Sequence, residues 1–188
     1  MASKKKEKLL HELDRAFQLP ASEILDVVLK NNRCFVNLKG AIAQEHLARY
    51  LKRLVDAGLI QDFEPIDEDG RPDFLVEFKG KHLLLECKNV QKGTGRKDKS
   101  ITIDFWRTRY QKTQGPISRY YHQSEFQVLA ACLFNRTGEW SFRFIQTSVL
   151  TRHPDDSERF SNRVSLEADT SYATEWNDDL VQVLKRLV

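Results

Sequence analysis

Asp73, Glu86 and Lys88 stand in the segment PDFLVEFKGKHLLLECK (residues 72–88), and their types and spacing suit metal-assisted hydrolysis of a phosphodiester. Two short apolar runs, Phe74, Val76 and Phe78, then Leu83, Leu84 and Leu85, are separated by the polar Lys79-Gly80-Lys81. This pattern predicts a β-hairpin. With Lys79-Gly80 as a two-residue turn, Phe78 pairs with Lys81, and the register carries Asp73 opposite Glu86 at the open end. Side chains alternate across a strand, so Glu86 and Lys88 project to one face and Cys87 to the other. Asp73, Glu86 and Lys88 then share a face.

Two carboxylates held together need a cation between them. Hard oxygen donors without a cysteine or histidine side chain suit Mg²⁺, with Mn²⁺ as its substitute, better than zinc. A cation so placed polarises a phosphoryl oxygen and lowers the pKa of a bound water, while Lys88 orients the attacking water or neutralises developing charge. The alternative reading is a structural hairpin in which Glu86 and Lys88 form a surface ion pair.

The full arrangement, PD followed by an apolar strand, a tight turn and LLLECK, resembles the PD-(D/E)XK nuclease superfamily. That group includes type II restriction endonucleases, Holliday-junction resolvases and several DNA-repair nucleases. The resemblance rests on Pro72, Asp73, Glu86 and Lys88. It implies an α/β, restriction-endonuclease-like fold with a mixed central β-sheet flanked by helices. It further implies Asp73 and Glu86 as metal ligands, the backbone carbonyl of Cys87 as a third, and Lys88 as the catalytic lysine. Members often add an upstream helical glutamate, in archaeal resolvases within a pattern like KGxxxE. Here Lys39-Gly40 begins such a stretch, with Gln44 at the matching position and Glu45 after it, so both join the candidate site.

Charge distribution points to a polyanionic partner. The formal net charge is only +3, yet residues 88–119 contain nine basic side chains against Asp98 and Asp104. The stretch QKGTGRKDKS directly follows the proposed site and reads as a glycine- and lysine-rich loop. Positive loops of this kind attract backbone phosphates, which assigns DNA contacts to Lys92, Arg96, Lys97 and Lys99. Beyond a short strand at Ile101-Thr102-Ile103, Arg107, Arg109 and Arg119 are interleaved with aromatics, and Arg107 and Arg109 suit forked contacts to phosphate or guanine. Trp106, Tyr120 and Tyr121 are read as partial core.

The remaining segments form the scaffold that must position these groups. Leu9, Leu10, Leu13 and Phe17 predict an amphipathic helix, and Ser22 caps a second one running to Asn31-Asn32. Leu47, Leu51, Leu54 and Val55 predict a third, closed by Gly58. Phe126 to Phe134 reads as a strand buried on both faces, followed by a turn and a second strand near Trp140 to Val149. His153 to Thr174 is polar and without period, as a long loop or irregular edge would be. Trp176, Leu180, Val183, Leu184 and Leu187 predict a closing helix with Asp178 and Asp179 in its first turn. Residues 1–58 are thus expected to form an N-terminal helical region packed on a nuclease core of residues 59–188.

Other function classes find little support. Cys34, Cys87 and Cys132 are odd in number and widely spaced, so they suggest neither disulfides nor zinc and read as small buried hydrophobes. The five histidines form no H-x-x-x-H pair, G-x-S-x-G is absent, and GTGRKDKS lacks the spacing of a phosphate loop. The basic N-terminus MASKKKEK precedes no long apolar stretch, and no segment approaches membrane-spanning length. The expectation is a cytoplasmic, Mg²⁺-dependent DNA endonuclease, type II restriction-endonuclease-like, acting as a homodimer because one site cuts one strand. The alternatives are a junction-resolving or repair nuclease and a catalytically silent DNA-binding scaffold of the same fold.

Overall fold

The computed structural model describes residues 11–93, 101–105, 107, 115–166 and 175–188. The chain divides into two compact units, Met1–Ala41 and Ile42–Val188, with the division inside one long helix.

In the first unit lie α1 (Glu12–Phe17), α2 (Ala21–Lys30) and the start of α3 (Asn32–Asp56). Leu13 and Phe17 are exposed, so α1 does not bury the face its pattern predicts; Leu9 and Leu10 lie outside the described residues. The N-cap of α2 is Pro20, which has no side-chain acceptor, and Ser22 falls one residue inside the helix. Asn31 is the capping residue: its Oδ1 accepts from the Cys34 amide at 3.1 Å and starts α3. Cys34 itself is exposed, unlike the buried Cys87 and Cys132. Gly40 stands within α3, where it costs about 1 kcal/mol relative to alanine.

In the second unit, Ala43, Leu47, Leu51 and Leu54 recur on one face of α3 and are buried. The helix stops as expected at Gly58, which has φ 66°. Leu59 N donates to Leu54 O and Gly58 N to Val55 O, both at 2.8 Å, the paired bonds of a Schellman motif.

Strands β1 (Asp62–Pro65), β2 (Phe74–Phe78) and β3 (Lys81–Asn89) follow. The β2–β3 register matches the sequence expectation, with Phe78 opposite Lys81 and Phe74 opposite Leu85. Lys79 and Gly80 have φ 50° and 71°, and two consecutive positive values are what a type I′ turn requires. The primed turn matches the twist of the strands and fixes which residues face each other.

Beyond β4 (Thr102–Asp104) come β5 (Val128–Cys132), α4 (Phe134–Thr137) and β6 (Phe142–Gln146). The chain continues through β7 (Arg152–His153), β8 (Asp156–Phe160), β9 (Arg163–Ser165) and α5 (Leu180–Lys185). The main sheet has the order β1-β2-β3-β5-β6. Its β3–β5 contact is parallel and the other three are antiparallel, so the sheet is mixed. All five residues of β5 are buried, in line with its unbroken apolar sequence at the sheet centre.

The two sheet faces carry different cores. Phe74, Leu85, Cys87, Ala130 and Phe144 cluster with the apolar faces of α3 and α5. Leu129, Ala131 and Ile145 face an aromatic cluster of Phe105, Tyr121, Phe126, Phe160 and Trp176. Trp176 therefore lies before α5 and packs on the opposite side from it. Asp179 is the N-cap of α5, its Oδ1 accepting from Val181 N at 2.8 Å, so neither Asp178 nor Asp179 sits in the first turn.

Part of the polar stretch expected to be irregular is ordered: β7 pairs with β8, and β9 with β4. These strands are short and mostly polar, and only Phe160 and Val164 reach the core, so the alternation is too weak to read locally. Residues 167–174 lie outside the described ones. Among the described residues, no helix is long and apolar enough to cross a membrane.

Candidate active site

The hairpin register delivers the site. Asp73 immediately precedes β2, one step beyond the Phe74–Leu85 pair, and Glu86 is the residue following Leu85 on β3. The backbone amide of Cys87 donates to Asp73 Oδ2 at 2.6 Å, which ties the aspartate to the adjacent strand. The Cys87 side chain is buried in the cluster shared with α3, so only its backbone is available to the site.

Glu86 is 3% exposed, and its two oxygens are not equivalent. Oε1 receives the Tyr121 hydroxyl at 2.7 Å and the Lys88 ammonium, also at 2.7 Å. Oε2 is buried and has no hydrogen-bond partner among the described residues. An unsatisfied buried carboxylate oxygen is costly, so a positive partner there is favourable.

The electrostatics agree. Burial, and after it the neighbouring Glu86 carboxylate, push the Asp73 pKa up to about 7. The Cys87 amide, Lys88 and Gln44 act against that rise without cancelling it. Burial, the largest single effect, would lower the Lys88 pKa, but the Glu86 carboxylate and Tyr121 together outweigh it and hold the ammonium above its ordinary value. Tyr121 is also raised, by burial and then by Glu86, which keeps its hydroxyl a hydrogen-bond donor.

A half-buried carboxylate raised well above the usual range and a buried one carrying an orphan oxygen fit a bound divalent cation. The donor set is oxygen only, as Mg²⁺ or Mn²⁺ prefers. Among the described residues, no group of three or more His, Cys, Asp or Glu side chains is arranged to hold a metal. Asp73 and Glu86 would therefore need a backbone or solvent oxygen as a further ligand.

The upstream helix contributes one of its two candidates. Gln44 Nε2 donates to Asp73 Oδ1 at 2.5 Å. Glu45 is exposed and pairs with Arg49 at 2.8 Å on the surface of α3, so the structure does not bring it to Asp73.

Among the basic residues, Arg107 lies close to this cluster. Its guanidinium is bonded to Glu125, lies 5.3 Å from the centre of the Tyr121 ring, and keeps Nε buried without a partner among the described residues. Arg119 Nε donates to the Arg107 carbonyl at 3.1 Å. Lys92 is exposed three residues past the end of β3. Arg96, Lys97, Lys99 and Arg109 lie outside the described residues, as does Trp106.

Tyr121 is the contact that sequence reasoning missed. It touches Glu86 through its hydroxyl, and Lys88 Nζ stands 5.3 Å from its ring centre. Its sequence context, a tyrosine pair after Ser118-Arg119, carries no motif that would have separated it from core aromatics.

A five-stranded mixed sheet with helices packed on it, carrying a carboxylate pair and a lysine at the open end of one hairpin, defines a mixed α/β fold. The chain is similar to the solved structure of a bacterial homing endonuclease, I-Ssp6803I, with a TM-score of 0.54 and 17% sequence identity. The match covers 80% of this chain and 95% of that one. No protein-family model matches the chain, and no curated protein is similar to it in sequence.

Proposed function

We propose that the protein is a metal-dependent DNA endonuclease with a site of the PD-(D/E)XK type. The observation that carries this reading is the meeting of Asp73, Glu86 and Lys88, with Glu86 Oε2 buried and unbonded among the described residues. The fold similarity to a protein described as a homing endonuclease supports DNA as the substrate.

In this reading Asp73 and Glu86, helped by the Cys87 carbonyl, hold Mg²⁺ or Mn²⁺. Bound there, the cation supplies Lewis-acid polarisation of a phosphoryl oxygen and a lowered pKa for a coordinated water. Lys88 is fixed by Glu86, where it orients the attacking water or neutralises charge developing on the phosphate. Gln44 and the Cys87 amide hold the Asp73 carboxylate in place.

Lys92, Arg96, Lys97, Lys99, Arg109 and Arg119 supply contacts to the DNA backbone. Each chain has one such site and cuts one strand, so a double-strand break takes two copies related by a twofold axis, as in type II restriction endonucleases.

Incubating supercoiled plasmid with the protein in Mg²⁺, Mn²⁺ or EDTA tests this reading. Nicking or linearisation is expected with either metal and none with EDTA. Asp73→Ala and Glu86→Ala should each abolish cleavage while DNA binding persists. Cleavage by the double variant at the wild-type rate would overturn the site.

A further inference from the structure

We propose that Tyr121 is a positioning residue of the metal site: with Lys88 it occupies one oxygen of Glu86 and so reserves the other for the cation. This rests on reading Asp73 and Glu86 as metal ligands, and it assigns a task to a side chain outside the Asp-Glu-Lys set.

The terminal torsion of a glutamate is broad and roughly twofold, so an unrestrained carboxylate can exchange its two oxygens or swing away from a cation. Glu86 is restrained on one side only. Oε1 takes two donors, Tyr121 Oη and Lys88 Nζ, both at 2.7 Å, while Oε2 takes none among the described residues.

The tyrosine is itself immobilised. Its ring packs against Phe105 at 5.1 Å and edge-on to Phe126 at 5.2 Å. Its backbone carbonyl accepts from Phe160 N at 2.9 Å, anchoring it to β8. A hydroxyl held from three directions and aimed at a buried carboxylate is a fixed donor, and it comes from a segment 35 residues away from the strand it braces. Partners that orient a metal ligand typically change metal affinity by about 10- to 100-fold when removed.

Tyr121→Phe deletes the hydroxyl and keeps the packed ring. The test is a calorimetric Mn²⁺ titration of metal-stripped protein without DNA, followed by plasmid cleavage over a range of Mn²⁺ concentrations. Wild type should bind Mn²⁺, and Glu86→Gln should lose that binding. Tyr121→Phe should bind about 10- to 100-fold more weakly. The Mn²⁺ concentration for half-maximal cleavage should rise by the same factor, with the rate at saturating Mn²⁺ largely recovered.

A merely structural tyrosine would lower the thermal midpoint of the metal-free protein and leave Mn²⁺ affinity unchanged. That result, or equal affinity with equal stability, overturns the proposal while leaving the metal site intact. A wild-type protein that binds no Mn²⁺ would instead overturn the metal-site reading, and the role of Tyr121 with it.

Discussion

Gln44 is bonded to Asp73 across 29 positions of the chain, its Nε2 lying 2.5 Å from the aspartate Oδ1, while the adjacent Glu45 turns outward to Arg49. Consecutive residues on a helix point about 100° apart, so only one of the two can face the sheet. The helix therefore offers the site a neutral donor where a carboxylate would have added a third negative charge.

Gln44→Ala should cost activity and Glu45→Ala should not. A hydrogen bond to a charged group contributes about 1.5–3 kcal/mol, which corresponds to roughly a ten- to hundredfold slower cleavage if it is all expressed in the rate. Glu45→Ala should stay within about 0.5 kcal/mol, as surface changes do. Single-turnover plasmid cleavage compares the two directly, and equal effects would mean that the Gln44 contact does not position Asp73.

Metal-free stability should depend on pH through Asp73. Its folded pKa of about 7 lies above the ordinary value near 3.9, so the folded state holds the proton more tightly than the unfolded chain. This contribution is fully present below about pH 4 and is lost as pH rises through 7, with a slope of at most about 1.36 kcal/mol per pH unit. Asp73→Asn removes the titration. Urea unfolding of both proteins at pH 5 and pH 7 in EDTA should therefore show the wild type losing stability relative to the variant. A difference that does not move with pH would rule out the carboxylate crowding.

Lys88→Met keeps the aliphatic stem and removes the charge. Turnover should fall by about 10²–10³-fold, the usual effect of losing one fixed donor to a developing charge. Mn²⁺ binding to Asp73 and Glu86 should remain measurable. The metal-free protein should also be less stable by about 1–3 kcal/mol, since Glu86 loses one of the two donors on Oε1. Retained turnover would assign Lys88 to structure alone.

The basic segment predicts a salt signature. Each lost phosphate contact on duplex DNA lowers the slope of log affinity against log salt by about 0.9. Replacing Lys92, Arg96, Lys97 and Lys99 together by alanine should flatten the slope by up to ~3.6 and weaken binding to all sequences alike. Fluorescence anisotropy at several salt concentrations measures this, and an unchanged slope would make these residues ordinary solvated charges.

What could be read from the sequence was local. The alternation of Phe74 to Phe78 and Leu83 to Leu85, with a glycine in the turn, determined the register that puts Asp73 beside Glu86, because period-two burial and turn geometry both act over a few residues. The unbroken apolar run of β5 and the Gly58 stop of α3 were legible for the same reason. Strands β7 to β9 were not, because a mostly polar edge carries little alternation. Only the tertiary structure decided between Gln44 and Glu45, brought Tyr121 to Glu86 over 35 residues, and bonded Arg107 to Glu125 over 18. Each of those contacts joins side chains from segments whose own patterns do not mention one another. Their partners are set by how the packed sheet faces meet α3 and the aromatic cluster, and that is a property of the folded chain alone.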